Sequence, residues 1–180
     1  MDFSFVNEYY LSYLQGAGVT VLLSLLALLF GFIVGLVACV CKISKNFILR
    51  WIANIYIEVI RDTPLVVQVM IIAFGIPMLF GINYPRMFGY DDTFTGVVIG
   101  LILNSGAYIA EILRSGISSV DKGQMEASRS LGLTYLQSMR YIIVPQAVKN
   151  ILPALANEFI SLVKESAIVA FVGVTDIMFV

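Results

Sequence analysis

Histidine is absent from this chain of 180 residues, and charge is scarce, with Asp, Glu, Lys and Arg together at 13%. Without an imidazole, a Ser-His catalytic pair, a His-x-x-Glu-His metal site and most zinc sites are excluded. The isolated Arg114-Ser115-Gly116 is therefore no sign of a serine nucleophile. No Gly-x4-Gly-Lys-Ser/Thr loop is present to cradle phosphates, so the chain is not expected to hydrolyse ATP itself. Cysteine is nearly absent as well: Cys39 and Cys41 form Cys-x-Cys in an apolar helix, where they point about 200° apart and cannot join in a normal disulfide. Packing is their expected role. A net charge of −1 with no basic tail gives no reason to propose nucleic acid. Internal repeats, low-complexity tracts and Ser/Gly linkers are missing too, which leaves one domain.

What fills the chain instead is apolar. Hydrophobic residues make up 59% and the mean hydropathy is +0.93, far outside the range of a soluble domain. The runs Gly18 to Cys41, Val66 to Phe80, Thr95 to Leu113 and Ile151 to Val174 each approach, with their flanks, the roughly 20 residues a helix needs to cross hydrocarbon. Four spans are expected in an all-α membrane protein. The second run is the shortest, and is expected to borrow length from Trp51 to Ile60 as one long helix broken near Pro64.

Basic residues set the orientation. Lys42, Lys45 and Arg50 lie between spans one and two, and Arg114, Lys122, Arg129, Arg140 and Lys149 between spans three and four, so both loops are expected in the cytoplasm. The amino terminus, with Asp2 and Glu8 and no early Lys or Arg, is expected outside. No removable signal peptide is apparent in that start, and the first span is expected to be retained.

Between the last two spans lies a polar insert, Asp121 to Pro145, that follows local rules. Asp121 with Gln124 reads as the cap of a first helix, and Gly132 as its left-handed stop. Thr134 with Gln137 repeats the capping-box pattern and opens a second helix toward Pro145. Leu131, Leu133, Leu136, Met139 and Tyr141 give this helical elbow apolar patches that a solvated loop does not need. Such patches suit a soluble partner, or packing on the bilayer or on the protein's own spans.

Glu126-Ala127-Ser128, then Gly132, then Ile142-x-Val144-Pro145, resembles the Glu-Ala-Ala loop of permease subunits of ABC-type importers. Serine stands where alanine is usual in that family, and Val144 where leucine is common. Glu58-Val59-Ile60-Arg61-Asp62-Thr63-Pro64-Leu65-Val66-Val67-Gln68 and Asn104-Ser105-Gly106-Ala107-Tyr108-Ile109-Ala110-Glu111, with Arg114 and Gly116, are similar to the polar amino-acid branch, apart from Asp62 in place of glycine. The resemblance implies a type I importer transmembrane domain (a MetI-like helical bundle) over residues 16–180. It implies that residues 121–145 form a coupling helix seated in a separate cytoplasmic ATPase, with Glu126, Ala127 and Ser128 near the contact and Gly132 making the bend. It implies a second permease subunit, identical or homologous, and a solute-binding protein outside. No cofactor is expected on this chain, and ATP with magnesium is expected on the partner. Permeases of that family continue into a further span, so Phe171 to Val180 is expected to approach a helix beyond the end of this sequence.

Polar residues inside the spans point to a solute path on physical grounds. Asn104, Tyr108, Glu111 and Ser115 lie at i, i+4, i+7 and i+11, one narrow helical stripe. Asn157, Ser161 and Lys164 repeat the arrangement in the last segment, with Glu158 and Glu165 beside it. A charged side chain at mid-span costs about 2.5 to 3.5 kcal/mol, so Glu158, Lys164 and Glu165 must find water or partners. Two readings stay open: they pair with one another or with another subunit, or they line the route of a zwitterionic solute. Glu111 and Arg114 are either a structural pair or a gate. Glu58, Arg61, Asp62, Thr63 and Pro64 form a candidate gate or anchor at the cytoplasmic end. The expected function is ATP-driven import of a polar amino acid. An ion-coupled carrier or channel without an ATPase is the alternative, and an intramembrane enzyme is disfavoured by the missing histidine.

Overall fold

The computed structural model describes residues 4–173, all of whose regular elements are helical. Helix α1, Ser4–Ile43, is followed by α2, Phe47–Asp62, which Asn46 caps by accepting from the amides of Ile48 and Leu49 at 2.9 and 3.4 Å. Helix α3, Leu65–Phe80, contains a wide π-helical turn at Ile71–Gly75. Then come α4, Asp92–Ser118, and the short α5, Lys122–Ser130. Helix α6, Tyr135–Ser138, runs through a second π-helical turn, Met139–Ile143, into α7, Val144–Glu165, and a 3-10 turn closes the described chain at Ser166–Val172. Residues 174–180, part of the expected approach to a further helix, lie outside the described residues.

Both π turns stand just ahead of a proline. Ile76 and Val144, the residues before Pro77 and Pro145, donate to carbonyls five residues back, Ile71 and Met139. A proline has no N–H for the ordinary bond and its ring crowds the carbonyl four residues earlier. Widening the turn by one residue removes the crowding without breaking the helix.

Pro64 acts differently. The break expected there is a sharp bend, the axes of α2 and α3 meeting at 110°, where one long helix was expected from the sequence. By length and composition α1 and α4 can cross a membrane, and the bent pair can supply one more crossing. Helix α7 has 22 residues, about 33 Å at 1.5 Å each, enough to span. Its Lys149, Glu158, Lys164 and Glu165 hold its apolarity down, as befits a helix that faces protein or water as well as lipid.

Helix α4 is the central post. It packs along α1 and also touches α2, α3 and α7. A close approach to α1 lies at Gly35, where an added Cβ would stand 2.8 Å from the Gly106 carbonyl oxygen and from an Ile109 methyl. Together with Gly31, one turn earlier, it makes the small-xxx-small seam that lets helices approach in a bilayer, where packing replaces the hydrophobic drive. Two apolar clusters form around α4. One holds Leu23, Val69, Phe94, Val97, Leu101 and Leu162; the other holds Cys39, Ile57, Ile109, Leu113, Ala147 and Ile151. Between them on α4 sit Asn104 and Ser105, both buried, so a polar layer is sandwiched at mid-helix.

Candidate functional site

The polar layer is tied together by side chains from three helices. Ser105 donates its hydroxyl to Glu158 Oε1 at 3.1 Å, joining α4 to α7. Asn104 Nδ2 donates to Gln68 Oε1 at 3.0 Å, joining α4 to α3. Gln68 is a site residue that pattern reading left out: it falls within the quoted motif, but nothing in its spacing announces that it is buried. A glutamine four residues past a helix-breaking proline was the signal available.

One turn or more along α4, the remaining stripe residues face a cavity of about 280 Å³, lined by Arg61, Tyr108, Glu111, Ser115, Ser119 and Asn150 among others. The Arg61 guanidinium lies 5.3 Å from the centre of the Tyr108 ring, a cation–π distance. Glu111 is held on both sides: Lys42 Nζ of α1 donates to Oε2 at 3.0 Å, and Arg114 Nε to Oε1 at 2.8 Å. Arg114 is thus a structural partner of Glu111, and Lys42 is a third member that charge counting assigned only to topology. Of the predicted stripe, Tyr108, Glu111 and Ser115 share the cavity, whereas Asn104 is buried in the polar layer above it.

On α7, Asn157, Ser161 and Lys164 are exposed along one face of the protomer, while Glu158 and Glu165 are half-buried. The described residues contain two ion pairs, both to Glu111, so Glu158, Lys164 and Glu165 do not neutralise one another within the protomer. Glu58 and Asp62 are exposed near the end of α2; Thr63 and Pro64 form the break itself.

The polar insert has the elbow geometry. Asp121 caps α5 by accepting from the Gly123 amide at 2.6 Å. Helix α5 ends in a Schellman motif: the Leu133 amide reaches Ser128 O at 3.2 Å, the Gly132 amide reaches Arg129 O at 3.0 Å, and Gly132 has φ +86°. Thr134 and Gln137 complete a reciprocal capping box at the start of α6. Glu126 and Ala127 are exposed, as are Leu131 and Leu136, at 80% and 77%. Ser128 departs from its expected place near a contact. It is 1% exposed and its hydroxyl lies 2.7 Å from that of the fully buried Ser138, so it fastens α5 to the start of the long helix. In the run that follows, Val144 and Pro145 are exposed, Ile142 is half-buried and Ile143 is buried.

The chain matches the family described as binding-protein-dependent transport system inner membrane component over residues 27–179. It is 43% identical over 178 residues to the arginine transport system permease protein ArtQ of Bacillus subtilis (strain 168), covering 99% of this chain and 78% of that protein. It is 40% identical over 164 residues to the glutamine transport system permease protein GlnP of Escherichia coli (strain K12), covering 91% and 72%. The crystal structure of an amino acid ABC transporter with histidines superposes with a TM-score of 0.91 at 46% identity, covering 99% of this chain and 80% of that one. An inward-facing structure of the MetNI methionine ABC transporter superposes at 0.76 with 20% identity, covering 94% and 78%, a likeness of fold.

Proposed function

The chain belongs to the family of binding-protein-dependent transport system inner membrane components, and from that premise we propose that it forms, with a like or identical subunit, the membrane path of a polar amino acid. It is a multi-pass permease subunit of an ABC importer, and not an enzyme. Relatives named for arginine and for glutamine support an amino acid with a hydrogen-bonding or cationic side chain as the cargo. In this reading the domain spans residues 16–180, the amino terminus faces outward, and a solute-binding protein delivers the amino acid there. ATP and magnesium act on a separate cytoplasmic subunit that receives the elbow of residues 121–145.

One observation carries the coupling reading: α5, the Schellman turn, α6 and α7 are joined by an unbroken run of hydrogen bonds. The Gly132 turn and the Thr134 box connect the exposed Glu126-Ala127 face to the long helix, and the Ser128 to Ser138 contact ties the corner. A push on the elbow is therefore carried into α7, which bears Asn157, Glu158, Ser161 and Lys164. Those residues, with Glu165, Asn104, Tyr108 and Glu111, are the proposed path. The α7 stripe lies open on the protomer and suits the boundary with the second subunit, where a zwitterion can meet donors and acceptors from both copies. Arg61, which lines the 280 Å³ cavity, is proposed with Glu58, Asp62, Thr63, Pro64 and Arg114 to guard or anchor its inner end.

The test is uptake of radiolabelled arginine and glutamine by vesicles holding this chain with its ATPase and binding protein. Import is expected to require ATP at the elbow side and to vanish when residues 122–138 are replaced by a short glycine linker. Undiminished import after that replacement would refute the coupling role.

A further inference from the structure

Gln68 stands where a broken helix meets the polar layer, and its hydrogen bonds have a direction. Its Nε2 lies 2.6 Å from Ile60 O, 2.9 Å from Thr63 O and 2.7 Å from Thr63 Oγ1. Two of these three are carbonyl oxygens, which only accept, and the Thr63 hydroxyl has its own proton committed to Val59 O at 2.8 Å. That end of the Gln68 amide must therefore be the NH2 end, whatever orientation is drawn. The cost avoided is that of α2 carbonyls stranded by Pro64, which offers no N–H to continue the helix.

The constraint propagates. With its NH2 fixed on α2, Gln68 has only Oε1 to offer α4, so the Asn104 amide must present Nδ2 to it, as found at 3.0 Å. Gln68 is 6% exposed and Asn104 4%, so water does not compete for the pair. Asn104 Oδ1 has no partner among the described residues, and with Glu158 Oε2 it is left as an acceptor of the polar layer. We infer that Gln68 is a positioning residue for transport: it relays the polarity of the Pro64 break to Asn104 and fixes its carbonyl as an acceptor for a hydrogen-bond donor of the solute, an ammonium, amide or guanidinium. This rests on the reading of Asn104 as a path residue.

Three variants in reconstituted vesicles test it: Gln68→Met, which keeps the volume and removes every bond, Asn104→Ala, and the double variant. The readout is arginine and glutamine imported per ATP hydrolysed, with basal ATP hydrolysis and the thermal midpoint of the assembled complex measured alongside. Each single variant is expected to lower import per ATP about tenfold, and the double variant to fall no further than Asn104→Ala, because the two residues act as one unit. Should Gln68→Met fail to assemble, Thr63→Val removes one of the three acceptors: a two- to threefold loss is expected in the parent and none on the Asn104→Ala background. Import lost multiplicatively in the double variant, or normal import with Gln68→Met or Thr63→Val, overturns the inference. If Asn104→Ala itself leaves import intact, it is the path reading that fails, and the inference falls with it.

Discussion

At the scale of single residues, the polar side chains of the central layer and of Glu111 are paired across helices. Glu111 is the clearest case, one carboxylate shared by Lys42 from α1 and Arg114 from its own helix, with about a fifth of its side chain exposed. Removing one partner of such a cluster leaves the others uncompensated, which costs several kcal/mol when fully buried and less where water still reaches. Glu111→Gln is expected to lower the stability of the assembled permease by about 1–3 kcal/mol, read as a reduced thermal midpoint in nanodiscs. Lys42→Met with Glu111→Gln should recover part of that loss, since the stranded ammonium is gone. Gly132 is a second case. Its φ of +86° is available to glycine without steric cost, and Gly132→Val should weaken the turn by about 1–2 kcal/mol. Faster hydrogen exchange of the Leu131, Gly132 and Leu133 amides would report it, and unchanged protection would contradict it.

At the scale of elements, prolines and glycines decide how the helices run and meet. Gly35→Leu drives a side chain into the Gly106 carbonyl and Ile109, so α1 and α4 must part at the cost of about 1–3 kcal/mol, visible as a lowered yield of the folded complex. Pro145→Ala removes the reason for the wide Met139–Ile143 turn. The turn is then free to tighten, which shifts the register of α7 by one residue, about 100° of rotation. Ala147, Ile151 and Leu162 would leave the core with it, so the thermal midpoint should fall together with import. Import equal to the parent would contradict a role for that register. These same elements mark where the sequence was legible. The elbow followed from Asp121, Gly132, Thr134 and Gln137 because caps and left-handed stops are local, settled within four or five residues. Pro64 announced a break but not its 110° angle, which comes with bonds from Gln68 back to Ile60 and from Asn104, 36 residues on, that no local pattern displays. The Gly31 and Gly35 seam went unread, because only its partner on α4 gives the spacing meaning. The resemblance placed Ser128 near the partner contact, whereas Ser138, ten positions on, draws its hydroxyl inside.

At the scale of the whole molecule, a polar layer at mid-helix lies between two apolar clusters, and a stiff elbow is joined to the helix that borders that layer. That division suits an alternating-access device, since two-state switching requires parts that move as bodies rather than deform. Carrying such an equilibrium from one side to the other takes about 5.5 kcal/mol of differential binding, which the elbow must deliver without bending. The exposed Asn157, Ser161 and Lys164 face remains unmatched within one protomer, so Lys164→Ala is expected to impair import or assembly of the paired permease more than the folding of a single copy, as read by crosslinked dimer yield. The central claim is rigidity between elbow and α7, and import per ATP hydrolysed after two glycines are inserted following Arg140 tests it most directly. With docking intact, ATP hydrolysis should continue while import collapses by tenfold or more; import at the parent ratio would contradict a mechanical link through this corner.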